Sequence, residues 1–293
     1  MQSEKKAIAL GCFDGLHRGH IAVINAALSY KGEGMAPSVL LFDEHPQKII
    51  RGAAPLEILS DEMKIREIER LGAQPIIISF REIFELSPTE FVEDCLVSRL
   101  NAGALCCGYN YRFGKGGGGD TEMLKRLCQK QLIELNISPK VIYKSEPVSS
   151  TRIRRAIGSG NIEEANLMLG REFSYNFAVA SGDRIGRLIG SPTINQFFPK
   201  DFVVPGFGVY ASKTLVEGKW YTSVTNIGIR PSFKSDELRS ETCILDFSGD
   251  LYGQNINVCL LKFLREEKRF SSLEELSAQI KRDAQAARAA AEE

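Results

Sequence analysis

Two histidines three residues apart close a glycine-rich turn, Gly11-Cys12-Phe13-Asp14-Gly15-Leu16-His17-Arg18-Gly19-His20, which follows an apolar run. A helix is expected to begin at or just after His20, presenting its free N–H groups and positive end to whatever the turn holds. Imidazoles in such a place can donate hydrogen bonds to a triphosphate whose charge builds as pyrophosphate leaves, lowering the barrier without a covalent step. A capped loop with incidental histidines is the competing reading of so short a pattern. Metal binding competes less well, because zinc takes three or four ligands and the chain's third histidine is His45. Two further stretches have chemical character. Ser149-Ser150-Thr151-Arg152-Ile153-Arg154 reads by itself as a hydroxyl-capped, solvated helix start. Gly182 to Asn195 is rich in glycine and ends in Pro192-Thr193-Ile194-Asn195, which by glycine content alone reads as a turn-rich hairpin.

The elements that must carry these groups alternate in the first half of the chain. Short β-rich runs (AIALGCF, SVLLF, PIIISF, ALCCGY, KVIYK) are separated by helical patterns (IAVINAAL, MKIREIERL, FVEDCLVSRL, TEMLKRL), which predicts a parallel sheet with crossover helices. Ser87-Pro88-Thr89-Glu90 supplies an N-cap serine, a proline at the first helical position and a glutamate three on from the cap. The piece IEEANLML should stop at Gly170. From about Phe177 to Arg265 short β-branched and aromatic runs predict a small antiparallel barrel or sandwich. The tail from Ser271 reads as a helix packed on that barrel, with Ser272 and Glu275 able to form a capping box. A boundary near residues 172 to 176 divides the chain into 1–172 and 173–293.

Composition narrows the class. At 293 residues two domains are expected, and 37 basic against 37 acidic residues leave no overall footprint for a nucleic-acid or membrane-surface partner. No apolar stretch approaches membrane-spanning length, the N-terminus lacks the pattern of a secretory signal, and seven cysteines without a C-x-x-C pair suit reduced, mostly buried thiols. A cytoplasmic protein is expected, without nucleic acid, membrane or an obligate protein partner.

The string G-x-F-D-G-x-H-x-G-H, followed by S-S-T-x-I-R at Ser149 to Arg154, resembles the prokaryotic FAD synthetases of the nucleotidyltransferase superfamily. The resemblance implies a Rossmann-like domain in which Gly11, Phe13, Asp14, Gly15, His17, His20, Ser150, Thr151 and Arg154 bind ATP, His17 and His20 acting in catalysis. Gly108 to Gly114 resembles the family's G-x-[DN]-[FY]-x-F-G, and Phe42-Asp43-Glu44-His45-Pro46 its F-x-P-H-P. Phe42, His45, Asn110, Arg112 and Phe113 thereby take flavin or nucleotide contacts, with Glu44 departing from the pattern. Pattern alone allows a strand-end turn with buried aromatics at Gly108 to Gly114 equally well.

The second half resembles riboflavin kinases through G-x-x-x-G-R-x-x-G-x-P-T-x-N at Gly182 to Asn195, G-V-Y-A at Gly208, N-I-G-x-R-P-S-F at Asn226 and L-Y-G at Leu251. That family implies a small antiparallel β-barrel with a terminal helix. Gly182, Gly186, Arg187, Gly190, Pro192, Thr193 and Asn195 would bind a second ATP, Thr193 and Asn195 would ligate Mg2+, and Glu241 would take the proton from the attacking hydroxyl. Ser181, Ser191, Ile194 and Cys243 depart from the usual residues. Glu241, judged on residue type alone, is as easily an ordinary solvent-facing strand residue. The expectation is therefore ATP and riboflavin to FMN, then ATP and FMN to FAD. The rivals are an FMN adenylyltransferase with a degenerate kinase domain and a non-catalytic flavin or nucleotide sensor.

Overall fold

The computed structural model describes residues 4–180, 193–231 and 236–292. The chain forms two compact units, residues 1–55 with 60–150, and residues 56–59 with 151–293.

In the first unit, five strands form a parallel sheet: β1 (Lys6–Leu10), β2 (Ala36–Phe42), β3 (Gln74–Ile78), β4 (Ala102–Gly108) and β5 (Glu134–Ser138), in the order β3-β2-β1-β4-β5. The near-continuous apolar runs of β1, β2 and β4 follow from burial on both faces. One face packs α1 (Arg18–Ser29), and the other a core that includes Ile8, Leu40, Phe91, Leu96, Leu105 and Leu124. The helices α2 (Pro46–Arg51), α3 (Asp61–Arg70), α4 (Phe80–Ile83), α5 (Pro88–Glu90) and α6 (Thr121–Gln131) complete the layers. Neighbours β2 and β4 leave β1 in opposite directions, so the carboxyl ends of β1 and β4 make the switch point where open α/β sheets bind ligands.

Two expectations change here. The fifth strand is Glu134–Ser138, whereas KVIYK contributes only β6 (Ile142–Tyr143), which pairs with β7 (Glu146–Pro147) in a separate hairpin. Glu134 to Ser138 lies at an exposed sheet edge, where few apolar residues are required, and so it carries a weak β signal. The helix after Ser87 has the expected capping box, with Ser87 Oγ accepting from Glu90 N (3.2 Å) and Glu90 Oε2 accepting from Ser87 N (2.8 Å). Beyond α5, however, Phe91–Arg99 is π-helical. There Ser98 Oγ donates to the Glu93 carbonyl five residues back, and Phe91, Val92, Cys95 and Leu96 are buried.

The second unit begins with α7 (Ser150–Gly158), which straddles the division, and α8 (Ile162–Leu169), which stops at Gly170 with φ 77° as expected. Its six-stranded antiparallel sheet comprises β8 (Phe173–Ala178), β9 (Thr193–Phe197), β10 (Gly208–Val216), β11 (Lys219–Pro231), β12 (Asp236–Ile244) and β13 (Asn255–Arg265), in the order β8-β13-β10-β11-β12-β9. The two ends of the sheet meet: Ala180 N donates to Asn195 O (2.8 Å), and Gln196 Nε2 donates to Phe177 O (2.6 Å) and Ile256 O (2.8 Å). A barrel results, and its interior is polar. Ser212, Thr214, Ser223, Thr225 and Thr242 are fully buried and exchange hydroxyl hydrogen bonds of 2.8 to 2.9 Å.

The terminal helix α9 (Leu273–Glu292) packs on β10, β11 and β13. Ser272 caps it through Glu275 N (3.2 Å), while the Glu275 carboxylate reaches one residue further back than a standard box, to Ser271 N (3.0 Å). Buried Asp283 fastens the helix by accepting from Arg265 Nε (3.1 Å), Arg265 Nη2 (2.8 Å) and Gln279 Nε2 (2.8 Å). Removing one partner of a buried pair strands the other charge, so Asp283→Ala should destabilise the barrel by about 3 kcal/mol. The joint change of Arg265 and Asp283 to leucine should cost less than that, and denaturant unfolding of the two variants checks both values.

Candidate functional sites

The turn after β1 is built from strained backbone. Phe13 (φ 50°), Gly15 (φ 78°) and Leu16 (φ 43°) occupy the left-handed region, which costs a bulky residue on the order of 1–2 kcal/mol. Burial of both Phe13 and Leu16 offsets that cost, and such strain is commonly stored at functional sites. The helix starts two residues earlier than expected, at Arg18, because His17 itself is the N-cap. Its Nδ1 accepts from Gly19 N (3.1 Å) and His20 N (3.3 Å), so the ring proton of neutral His17 lies on Nε2. His20 stacks on His17 with centroids 3.7 Å apart and planes 16° from parallel. Burial pushes the His20 pKa well below 6.5, and the neighbouring His17 and Lys64 charges push it the same way. Its Nδ1 is buried without a hydrogen-bond partner among the described residues. His17 thus presents an Nε2–H, and buried, neutral His20 lies against it, at the positive end of α1.

Other expected residues of the first unit are Gly11, Phe42, His45, Asn110, Arg112, Phe113 and Ser150, whereas Thr151 and Arg154 belong to the second. Ser150 Oγ donates to Asp14 O (2.9 Å), tying the second motif to the first turn. Gly11 lies against the Phe13 ring, at 3.4 Å for an added Cβ. After β2, His45 caps α2 through its Nδ1 (3.1 Å from Gln47 N), as His17 caps α1, and burial lowers its pKa. Phe42 packs edge-on against Phe80, with centroids 5.1 Å apart. The departing residue Glu44 bridges Lys48 (3.1 Å) and Arg81 (3.0 Å), so it braces the turn between α2 and α4. After β4, Asn110 and Arg112 are exposed, with Arg112 Nη1 3.9 Å from Asp120 Oδ2. Phe113 differs: it is core, packed against Phe91 and Tyr111, and supports the turn from beneath. Thr151 is exposed, and Arg154 Nε donates to the Leu56 carbonyl (2.5 Å).

Motif reading missed Lys64. Its ammonium sits on α3, paired with Asp61 Oδ1 (2.6 Å), and its field reaches Cys12, His20 and His45. No spacing rule points from a helix some forty residues downstream to the turn after β1.

In the second unit, Gly182, Gly186, Arg187, Gly190 and Pro192, with the departures Ser181 and Ser191, lie outside the described residues. The rest converge through strand register. Asn195 on β9 stands opposite Glu241 on β12, and Glu241 stands opposite Asn226 on β11. Directly opposed residues share a face, as do residues two apart, so Thr193, Asn195, Glu241, Asn226 and Arg239 line one side of the sheet. Ile194 faces the other way, opposite Thr242, while Cys243 stands opposite Thr193. Glu241 Oε1 is 3.1 Å from Arg239 Nε, and the two side chains are only 15% and 8% exposed. Glu241 is thus not the solvent-facing strand residue that its type alone suggests.

A parallel α/β sheet with a turn at its switch point and an antiparallel β-barrel are the two parts of the chain, and the protein families they match are those of a two-part transferase of phosphorus-containing groups. A family model of FAD synthetase matches residues 1–152, and one of riboflavin kinase matches residues 169–291. The chain is 37% identical to the bifunctional riboflavin kinase/FMN adenylyltransferase of Listeria monocytogenes, over 97% of this chain and 92% of that one. It is 33% identical to the protein of the same name from Bacillus subtilis (98% and 92% covered) and 34% to that of Escherichia coli K12 (96% and 91%). A crystal structure described as a macrolide-efflux protein from Streptococcus pneumoniae matches at 29% identity with a TM-score of 0.88, covering 98% of this chain and 95% of that one. No helix among the described residues is long and apolar enough to cross a membrane. The chain belongs to the bifunctional riboflavin kinase/FMN adenylyltransferase family.

His20 links stability to pH. Its folded pKa lies below the unfolded 6.5, so between those values the unfolded chain binds more protons and stability rises with pH. The contribution is complete above pH 6.5 and is lost as pH falls toward the folded pKa. His20→Gln should accordingly flatten the decline of melting temperature below pH 6.5, and a thermal unfolding series from pH 5 to 8 measures it.

Proposed function

We propose that residues 173–293 transfer the γ-phosphoryl group of ATP to the terminal hydroxyl of riboflavin, giving FMN and ADP, and that residues 1–172 join FMN to the adenylyl group of a second ATP, giving FAD and pyrophosphate. The observation that carries the reading is the register that sets Thr193, Asn195 and Glu241 on one face, in a chain whose other half places stacked histidines at a sheet switch point.

In the kinase reaction, Glu241 accepts the proton of the ribityl hydroxyl as its oxygen bonds to the γ-phosphorus and the bond to ADP breaks. Arg239 holds the carboxylate in place. The Thr193 hydroxyl and Asn195 amide oxygen are two residues apart on β9 and are hard oxygen donors, so they fit Mg2+. When bound, that ion would neutralise charge on the ATP phosphates. Gly182, Gly186, Arg187, Gly190 and Pro192 take ATP contacts by family resemblance.

In the adenylyl transfer, an FMN phosphate oxygen attacks the α-phosphorus and pyrophosphate departs. His17 donates from Nε2, and His20, neutral at pH 7, donates from one ring nitrogen to the same developing charge. Gly11, Phe13, Asp14 and Gly15 shape the turn, Ser150 braces it, and Thr151 and Arg154 keep the phosphate role of their motif. Phe42, His45, Asn110 and Arg112 serve the flavin or nucleotide, with Phe113 beneath them. Seven unpaired thiols fit a reducing, cytoplasmic setting.

Incubation with riboflavin, Mg2+ and ATP, followed by chromatography over time, should show FMN and then FAD. Thr193→Ala should stop FMN formation while added FMN is still adenylylated. Glu241→Gln should lower the kinase kcat by roughly 10² to 10⁴. His17→Ala should let FMN accumulate and slow FAD formation by about 10² to 10³. Adenylylation of FMN with no use of riboflavin would leave a monofunctional enzyme, and no turnover at all a sensor.

A further inference from the structure

The first residue of the motif at Asn226, an asparagine, stands directly across from Glu241. Asn226 Nδ2 donates to Glu267 Oε1 (2.9 Å), and this bond decides which way the amide points. The opposite atom, Asn226 Oδ1, is buried and has no hydrogen-bond partner among the described residues. Buried acceptors are nearly always satisfied, and one kept bare at a site is held for a donor that arrives with a ligand.

Glu267 reaches this position because residue 228 is glycine. A Cβ there would lie 2.5 Å from Glu267 Oε1, so any larger residue would expel the carboxylate. Gly228 in turn stands opposite Arg239, the partner of Glu241. The amide is thereby fixed by one carboxylate and faces the neighbourhood of another.

Those surroundings select the ligand. Oδ1 is an acceptor, and a deprotonated phosphate oxygen has no proton to give it, so a hydroxyl donor is the ligand group it suits. The Cβ atoms of directly opposed residues on antiparallel strands lie about 4.5–5.5 Å apart. That spacing suits side chains that address hydroxyls on neighbouring carbons of one polyol chain. We propose that Asn226 Oδ1 accepts a hydrogen bond from a second hydroxyl of the ribityl chain, beside the one deprotonated by Glu241, and that Glu267 is the positioning residue that fixes the amide. This rests on the kinase reading.

The test is the initial rate of FMN formation by the full chain against riboflavin and against ATP, for the unaltered protein, Asn226→Leu, Glu267→Ala and the double variant, with FMN adenylylation as the check of integrity. Asn226→Leu should raise the KM for riboflavin about tenfold and change kcat little, the loss of one hydrogen bond. The KM for ATP and the Mg2+ requirement should stay unchanged. Lumiflavin, which has the ring system without the polyol, should inhibit all four proteins equally. Glu267→Ala should give a smaller rise, and the double variant should be no worse than Asn226→Leu, because the carboxylate acts only through the amide. Asn226→Ala carries the same expectation should leucine disturb β11. An unchanged KM for riboflavin, a parallel rise for ATP or Mg2+, or weaker inhibition by lumiflavin would overturn the assignment while FMN is still being made. Absence of FMN from the unaltered chain would instead remove the kinase reading, and this inference with it.

Discussion

The pairing of β12 between β9 and β11 is the constraint on which the second unit's chemistry depends. Side chains alternate along a strand, so a slip of one residue would turn Glu241 into the barrel and bring Thr242 out. Inside, Thr242 is held by Thr225, and Thr225 by Ser212. These buried hydroxyls satisfy one another only in the observed register, and a wrong register would leave several bare at about 1–3 kcal/mol each. A polar barrel interior therefore specifies which residues, Glu241 among them, stand on the outer face.

The first unit solves a different problem with the same economy of backbone groups. A helix that begins immediately after a tight turn has N–H groups to satisfy, and His17 meets two of them with Nδ1. That bond leaves the proton on Nε2, so capping and proton placement are one event. Burial keeps His20 neutral where it stacks on His17. His45 repeats the arrangement on the neighbouring loop, at the start of α2.

Much of this was legible in the residues. The alternation of strands and helices gave the parallel sheet, Ser87 to Glu90 gave its capping box, and Gly170 ended α8. The glycine turn and the Thr193-x-Asn195 pair stood out by residue type and spacing, and the fold sets the first at the sheet's switch point and the second opposite Cys243 and Glu241. The misses have physical causes. An exposed edge strand such as β5 needs little hydrophobicity, so Ile142 and Tyr143 of the neighbouring hairpin looked the stronger strand. The π-helical segment was not legible because Phe91/Cys95 and Val92/Leu96 are four apart, a spacing that an ordinary α-helix serves as well. Phe113 packs in the core against Phe91 and Tyr111, the buried strand-end arrangement that its pattern allowed equally well.

Sequence by itself determined the local matters: which segments pair or coil, where turns must be glycine, and which oxygen, nitrogen and carboxylate groups exist to do chemistry. Those depend on steric and hydrogen-bonding rules that act over a few residues. Tertiary structure alone decided that the field of Lys64 reaches His20, that Arg239 pairs with Glu241, and that Gly228 makes room for Glu267 to aim Asn226. Each of these is a through-space encounter between distant segments, set by sheet order and register, and no periodicity along the chain records it.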